Sequence, residues 1–405
     1  MAATAIQGFT QFVAETGPLL LTGTQSVVND AQGNNFNTMG YLARGQQMSD
    51  IVQGGSEIID EIYLSATRRA REYQEMEDQA YATVTSGTIH HTPWRTWMTD
   101  IVIPEKLIEL NAGAQFSAQH RAQQYKDIWF RKQQECWTDA WAFEEENAWA
   151  PPNKLTMEAA TGRSQYSIPC FVNEFANGLP SAQHTGGIWT TKMQIDPAAA
   201  GQTNWQPQQF NYIDTLASNH ASFGPTSLLS VFDRAWMKLG FRPPPHDKQY
   251  FETATAKPIN VIFTSLQGRL NLLKTYRNSQ DRWENASDPF MNPMYAGAPL
   301  VYVSQLDTAA IFPTGVGTTT ADALLSTELD TTNTIAGGNA GPRYFLIQPE
   351  YMRKVYFKDR SMKMTGEMRD VRQPFTLIYP IDNLCNLIAR SLKRHGIIYP
   401  SADIA

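Results

Sequence analysis

GAQFSAQHRAQQYKDIWFRKQQECWTDAWAFEEENAW, residues 113–149, opens on Gly113 and then runs without proline or glycine until Pro151-Pro152. It is dense in Ala, Gln, Lys and Glu, residues that lose little side-chain freedom in a helix. Apolar residues recur at 118, 122, 125, 129, 136, 140 and 143, a helical spacing that Lys132 interrupts. Phe130, Trp137 and Trp141 widen the apolar face, and the proline pair ends the run. At 1.5 Å per residue such a helix spans about 50 Å, more than the diameter of a small domain. It therefore predicts the spine of an elongated molecule. The Trp residues at 129, 137, 141 and 149 read as packing residues, and Glu144-Glu-Glu146 as a solvated helix end.

On the N-terminal side, residues 51–112 read as a long hairpin-like excursion. Gly54-Gly55 breaks the chain, and Ile58, Ile59, Ile62 and Leu64 follow. A strip of both charges comes next, with Arg68, Arg69 and Arg71 matched by Glu72, Glu75, Glu77 and Asp78. Residues 81–87 favour a strand, 88–100 are aromatic and polar, and Ile101-Val-Ile103 closes the segment before Pro104. The stretch Ser86–Arg95, including His90-His91, reads as a polar loop tip; adjacent histidines diverge on a strand and cannot ligate a metal together. A self-complementary charged strip suits pairing with a neighbouring copy or a solvated face. Protruding loops of this length usually do interface work.

Residues 1–50 carry four charges, Glu15, Asp30, Arg44 and Asp50, with small apolar clusters at Phe9, Phe12 and Val13, at Leu19–Leu21 and at Val27-Val28. They predict an extended arm that orders on another surface. Past the spine, residues 151–220 are loop-rich. Residues 226–239 predict a helix with Leu228, Leu229, Phe232, Trp236 and Leu239 on one face and Asp233 and Arg234 off it. Residues 259–264 read as a buried strand and 266–276 as the helix after it. Further strands are expected at 297–303, 344–347 and 375–379, with another beginning at 384–389; residues 314–341 read as a surface excursion. The class is mixed α+β, and no internal repeat is evident.

Composition bounds the function. The chain has 405 residues, enough for two or three structural units at about 150 residues per domain. Aromatic residues make up 11%, so a sizeable core can form, while charged residues are only 18%, which suits a surface hidden against partners. The net charge of −6 argues against a general electrostatic grip on nucleic acid. No window approaches the ~18 consecutive apolar residues of a membrane span. The first Lys or Arg is Arg44, so the N-terminus lacks the basic region of a secretory signal. Cys136, Cys170 and Cys385 form neither a disulfide framework nor a zinc pattern, as expected of a reduced, cytosolic chain, and no phosphate-loop, dinucleotide, nucleophile-elbow or zincin motif occurs. No catalytic, cofactor or metal residue is expected.

The order of segments resembles the major capsid proteins of tailed bacteriophages, the Hong Kong 97-like fold. The resemblance covers most of residues 1–400. It rests on an arm, a long loop and a long helix, followed by four local signatures in the C-terminal half. These are the strand and helix of Val261–Lys274, the Gly297-Ala-Pro-Leu-Val strand running to Asp307, Tyr344-Phe-Leu-Ile through Val355-Tyr-Phe-Lys-Asp-Arg360, and Asn386–Arg390 with Arg394–Ile398. Ser167–Phe175 and the Pro243 triplet look like parts of a subset of that family. The resemblance implies an N-terminal arm (1–50), an extended loop and its base (51–112), spine helix and peripheral domain with a loop-rich insertion (113–225), an axial domain (226–370), and C-terminal strands returning to the peripheral domain (371–405).

It also implies a structural function: a subunit that self-assembles through pentamers and hexamers into an icosahedral shell around double-stranded DNA. That DNA would be held without sequence-specific contacts. A separate scaffolding protein, a portal and a cement protein are the implied partners, the virion capsid is the implied location, with assembly in the host cytoplasm, and no membrane is involved. Candidate intersubunit contacts are Arg68, Arg69, Arg71, Glu72, Glu75, Glu77, Asp78, Trp94, Arg95 and Trp97. Some family members join a loop lysine to a neighbour's asparagine. Here the first lysine of the chain is Lys106, so the loop has no such amine. An encapsulin-like compartment shell and an α+β hydrolase or transferase are the alternatives.

Overall fold

The computed structural model of the chain describes residues 38, 49–63, 87–106, 118–159, 161–173, 189, 191–199, 202, 205–212, 227–239, 261–279, 294–308, 342–349, 351–369 and 375–400. The charged strip at 68–78, most of the arm, the Pro243 triplet and the 314–341 excursion lie outside these residues. The described residues belong to two compact units. One is built from residues within Trp97–Phe143 and Arg360–Asn383, the other from residues within Asn35–Thr96, Glu144–Asp359 and Leu384–Ala405.

In the first unit, helix α1 (Ala118–Ala148), as far as Phe143, covers a sheet. The sheet consists of β4 (Arg95–Pro104), β11 (Lys363–Met364), β12 (Met368–Arg369) and the first half of β13 (Thr376–Ala389). Alternation decides which side of β4 is buried: Ile101 and Ile103 point into the core, and Met98, Asp100 and Val102 point out. Ile128 and Cys136 of the helix meet Ile101, Ile103, Leu377 and Ile381. Trp129 adds an edge-to-face contact to Tyr379, with ring centroids 4.4 Å apart. The helix predicted at 113–149 is therefore present over 118–148, and Trp129 packs as expected. The strands expected separately at 375–379 and 384–389 are instead one strand of 14 residues. Pro380 sits within it, and its carbonyl accepts the Thr365 N–H at 2.8 Å.

In the second unit, a six-stranded sheet runs in the order β5 (Gln208–Tyr212), β14 (Gly396–Pro400), β9 (Tyr344–Ile347), β6 (Val261–Thr264), β8 (Ala298–Tyr302), β7 (Met294–Tyr295). The central strands β6 and β9 are buried at every position, as their unbroken apolar runs require. Ile262 and Leu346 face a cluster made by Leu228, Val231, Phe232, Ala235 and Leu239 of α4 (Leu228–Leu239) and Leu272 of α5 (Leu266–Ser279). Phe263 and Phe345, paired in register, instead meet the indole of Trp149 at 5.6 and 5.0 Å. Both faces of the sheet are thus filled. Gly268 is required at the start of α5, because a Cβ there would stand 2.0 Å from Thr264 Oγ1.

A second, smaller sheet in this unit pairs β1 (Ser49–Val52) in parallel with β10 (Met352–Phe357), which pairs antiparallel with the end of β13. Lys192 and Ile195 close a two-residue turn. Met193 (φ 54°) and Gln194 (φ 65°) both occupy the left-handed region, the conformation such hairpin turns demand. Met193 is buried, and its Sδ accepts the Ala389 N–H at 3.4 Å. Gln194 is exposed and lacks that compensation. A left-handed non-glycine residue costs about 1–2 kcal/mol, more than the extra chain entropy a glycine loses on folding. Gln194→Gly is therefore expected to raise the urea midpoint at unchanged slope, by up to about 1 kcal/mol of stability. A lowered midpoint would contradict the strain assigned to this turn.

Candidate assembly site

The excursion after Gly54-Gly55 is an antiparallel pair, β2 (Glu57–Tyr63) with β3 (Gly87–Pro93), in register from Glu57↔Pro93 to Tyr63↔Gly87. The expectation of a polar tip at Ser86–Arg95 is corrected: residues 87–93 are strand, and Arg95 begins the next one. The histidine rings diverge as adjacent strand residues must. His90 points inward and is fully buried; His91 points outward and meets Glu57 at 3.1 Å. Ile58, Ile62, His90 and Thr92 form the inner side, while Ile59 (60% exposed) and Ile89 (58%) stand on the outer side. The error came from reading Thr-Ile-His-His-Thr as polar, when alternate residues along it face a buried surface.

Asp60 lies directly opposite His90 and accepts a hydrogen bond from Arg390 Nε at 2.6 Å. Burial pushes the His90 pKa down to about 4, with Asp60 pulling the other way, so the ring is neutral in the folded chain at neutral pH. Trp94 Nε1 donates to the Gly55 carbonyl at 3.1 Å, and its ring meets Phe357 edge-on at 5.6 Å. The Asn386 side chain donates to the Pro93 carbonyl at 2.7 Å and accepts from the Tyr166 N–H at 2.9 Å.

Arg95 is buried, and its guanidinium donates to the carbonyls of Met157 (2.6 Å), Ala159 (2.9 Å) and Gly162. These carbonyls lie at and just beyond the end of α2 (Lys154–Met157), whose other end is capped by the Asn153 side chain accepting from Leu155 N–H and Thr156 N–H. A cation at a helix C-terminus is electrostatically favourable. Burial lowers the Arg95 pKa from its ordinary value, with Tyr166 opposing. Trp97, in the first unit, is half-buried and contacts Phe143 edge-on at 5.5 Å. Of the ten candidate contact residues, Trp94 and Arg95 are engaged within the chain at the root of the hairpin, and the seven charged ones lie outside the described residues.

The end of α1 is the second correction. Glu144 and Glu145 are fully buried, and only Glu146 is solvated. Glu144 forms a buried ion pair with Lys354 of β10 and accepts hydrogen bonds from Gln165 and Cys385, each at 3.5 Å. Burial pushes the Lys354 pKa down to about 8, with Cys385 raising it. Cys385 therefore has polar as well as apolar company. Glu145 accepts the Thr38 N–H at 3.2 Å, and Trp149 Nε1 donates to Thr38 Oγ1 at 2.7 Å. No sequence motif marks this cluster; its only sequence signal is three carboxylates at the end of a helix, where the helix dipole favours cations.

Among the described residues, no group of three or more His, Cys, Asp or Glu could hold a metal ion. No described helix is long and apolar enough to cross a membrane. What the arrangement provides is mechanical: polar groups from β2, β3, β4, β13 and α2 fix the root of a hairpin, while its outer side stays open.

No family model matches the chain, and no curated protein does. Among solved structures it is similar to phage capsid proteins over nearly its whole length. The capsid subunit of cyanophage A-1(L) is 12% identical over 94% of this chain and 97% of the other, with a TM-score of 0.46. The capsid of an empty GTA particle is 10% identical over 96% and 97%, with a TM-score of 0.46. The SrpI encapsulin complex from Synechococcus elongatus is 9% identical over 96% and 97%, with a TM-score of 0.42.

Removing one member of a buried ion pair leaves the other charge uncompensated, at about 3–5 kcal/mol. Lys354→Met and Glu144→Leu should each destabilise on that scale in denaturant unfolding. The double variant Lys354→Met with Glu144→Leu should lose less than either single change. Additive losses would show that the two side chains do not act as a pair.

Proposed function

We propose that the chain is a shell-forming structural protein, the major capsid protein of a tailed phage, assembling through pentamers and hexamers into an icosahedral head around double-stranded DNA. The observation that carries this reading is the order of parts: a hairpin rooted in the body of the chain, a 31-residue helix, and then a six-stranded sheet carrying α4 and α5. A hairpin with its inner side satisfied by its own chain and isoleucines on its outer side suits contact with a neighbouring copy. The charged strip Arg68, Arg69, Arg71, Glu72, Glu75, Glu77 and Asp78 lies between the two strands of that hairpin in sequence and supplies self-complementary charge for the same contact. In this reading Trp94 and Arg95 hold the root and thereby aim the strip, and Trp97 steadies β4. A net charge of −6 keeps the shell from adhering to packaged DNA. A separate scaffold, a portal and a cement protein complete the assembly, and no catalytic role is assigned.

The shell is held without covalent links between subunits. The hairpin segment 57–93 contains no lysine, and arginine is too poor a nucleophile to replace it. Cys136, Cys170 and Cys385 are buried thiols in no disulfide, and burial pushes the Cys136 and Cys170 thiols up, which keeps them unreactive. Electron microscopy of particles assembled from the chain with its scaffold should show hollow shells, and mature particles should protect double-stranded DNA from nuclease. Boiled in detergent with or without reductant, they should give one band near 45.5 kDa. A monodisperse monomer with a small-molecule activity would overturn the shell reading. Protected cargo protein without DNA would turn it toward a cellular compartment. A ladder that survives reductant would overturn the non-covalent account.

A further inference from the structure

The inner side of the hairpin β2–β3 closes over one imidazole. His90 is fully buried there with Ile58, Ile62 and Thr92. Its Nδ1 lies 3.3 Å from Thr92 Oγ1, and its Nε2 has no hydrogen-bond partner among the described residues. A neutral ring leaves one buried nitrogen unanswered. An imidazolium would leave a buried N–H donor unanswered and hold a charge away from water, which is far less favourable. Among the described residues, three charged or titratable groups act on this ring. Asp60, directly opposite in register, favours its charged form but already accepts from Arg390 Nε at 2.6 Å; His91 and Arg390 oppose it. Burial outweighs Asp60 and pushes the His90 pKa from its ordinary 6.5 down to about 4.

The hairpin is held firmly at its root and lightly beyond it. Trp94, Arg95 and Asn386 fix the root through backbone carbonyls. Farther along, Asp60 ties β2 to Arg390 at the end of β13, with side chains 26% and 41% exposed, and ion pairs so open to water add little. Gly54 (φ 146°) and Gly55 (φ 105°) lead into β2, and glycine leaves such conformations as readily as it adopts them. Closure beyond the root therefore rests on burying Ile58, Ile62 and a ring that must stay neutral.

We propose that His90 is an acid-sensitive latch: its protonation releases the hairpin beyond the root from the rest of the second unit, with β2 and β3 still paired and Ile58 and Ile62 uncovered. The open hairpin takes up a proton near pH 6.5, whereas the closed one does so only near pH 4. Closure is thus fully favoured above about pH 6.5 and weakens as the pH falls from there to 4. Between pH 8 and pH 5 the ratio of open to closed hairpin rises about thirtyfold. The latch belongs to the single subunit and does not rest on the shell reading.

The test places a thiol on the inner side (Ile62→Cys) or the outer side (Ile59→Cys) of the full, unassembled chain. Labelling by N-ethylmaleimide at pH 8 and pH 5 is followed by mass spectrometry of the digested chain. Dividing the inner rate by the outer rate at the same pH removes the titration of the thiol itself. That quotient should rise about thirtyfold at pH 5. With His90→Gln added, or His90→Leu as a second variant, it should change less than threefold. The native Cys170, buried in the same unit, should show no matching rise in the same digests. A quotient indifferent to pH would overturn the proposal, and so would a rise that survives replacement of His90. A parallel rise at Cys170 would show that the whole unit opens, and the latch would fail on that result too.

Discussion

The buried pairing of Glu144 with Lys354 is the constraint on which the second unit depends. It joins the end of the 31-residue helix to the middle of β10, and β10 in turn lies between β1 and β13. Two charges without access to water are tolerable only when each answers the other and the remaining lone pairs are used. Here Gln165 and Cys385 take the other carboxylate oxygen. The next residue, Glu145, fastens Thr38, so adjacent carboxylates hold a strand of one sheet and a residue of the segment expected as the arm. A buried pair of this kind adds little net stability over an apolar substitute. What it contributes is register, because a slip of β10 by one residue would move Lys354 to the opposite face of its strand.

The same economy recurs at the hairpin root. Arg95, Asn386, Trp94 and Arg390 all donate to carbonyls or a carboxylate of their own chain, and Trp94, Arg95 and Arg390 lie at or beside a strand terminus. Side chains with fixed, directional donors aim a protruding element more tightly than apolar contact would, since hydrogen bonds weaken steeply off axis. In the shell reading proposed above, a subunit that must meet its neighbours at a set angle benefits from such a root, and the outward-facing Ile59 and Ile89 are apolar residues available for that contact.

Periodic apolar residues were readable from the chain: α1, α4, the β6–α5 pair and β9 stand where their patterns put them, because burial of a helix stripe or an all-apolar strand is decided locally. Polar residues whose burial depends on a distant partner were not. Glu144 is buried because Lys354 stands 210 positions away in the sequence, and nothing in Glu-Glu-Glu announces that. His90 is inside because its side of the hairpin, shared with Ile58, Ile62 and Thr92, faces a buried surface, and Gln208-Gln-Phe-Asn-Tyr212 is a strand because β14 pairs with it. Of the candidate contact residues, Arg95 was singled out for an outward role, yet its guanidinium is enclosed by three carbonyls; an arginine before an aromatic strand carries no mark of which way it turns. The hairpin before the spine was also legible, from the β-prone stretches on either side of the charged strip, although its second strand was read as a polar tip.

The central claim is that the hairpin root is built by the subunit itself, before any neighbour arrives. Hydrogen exchange on unassembled subunits measures this directly through the amides of β2 and β3. The account predicts that peptides covering 57–63 and 87–93 are protected in the free subunit to nearly the extent seen in assembled shells. Protection that appears only on assembly would contradict it.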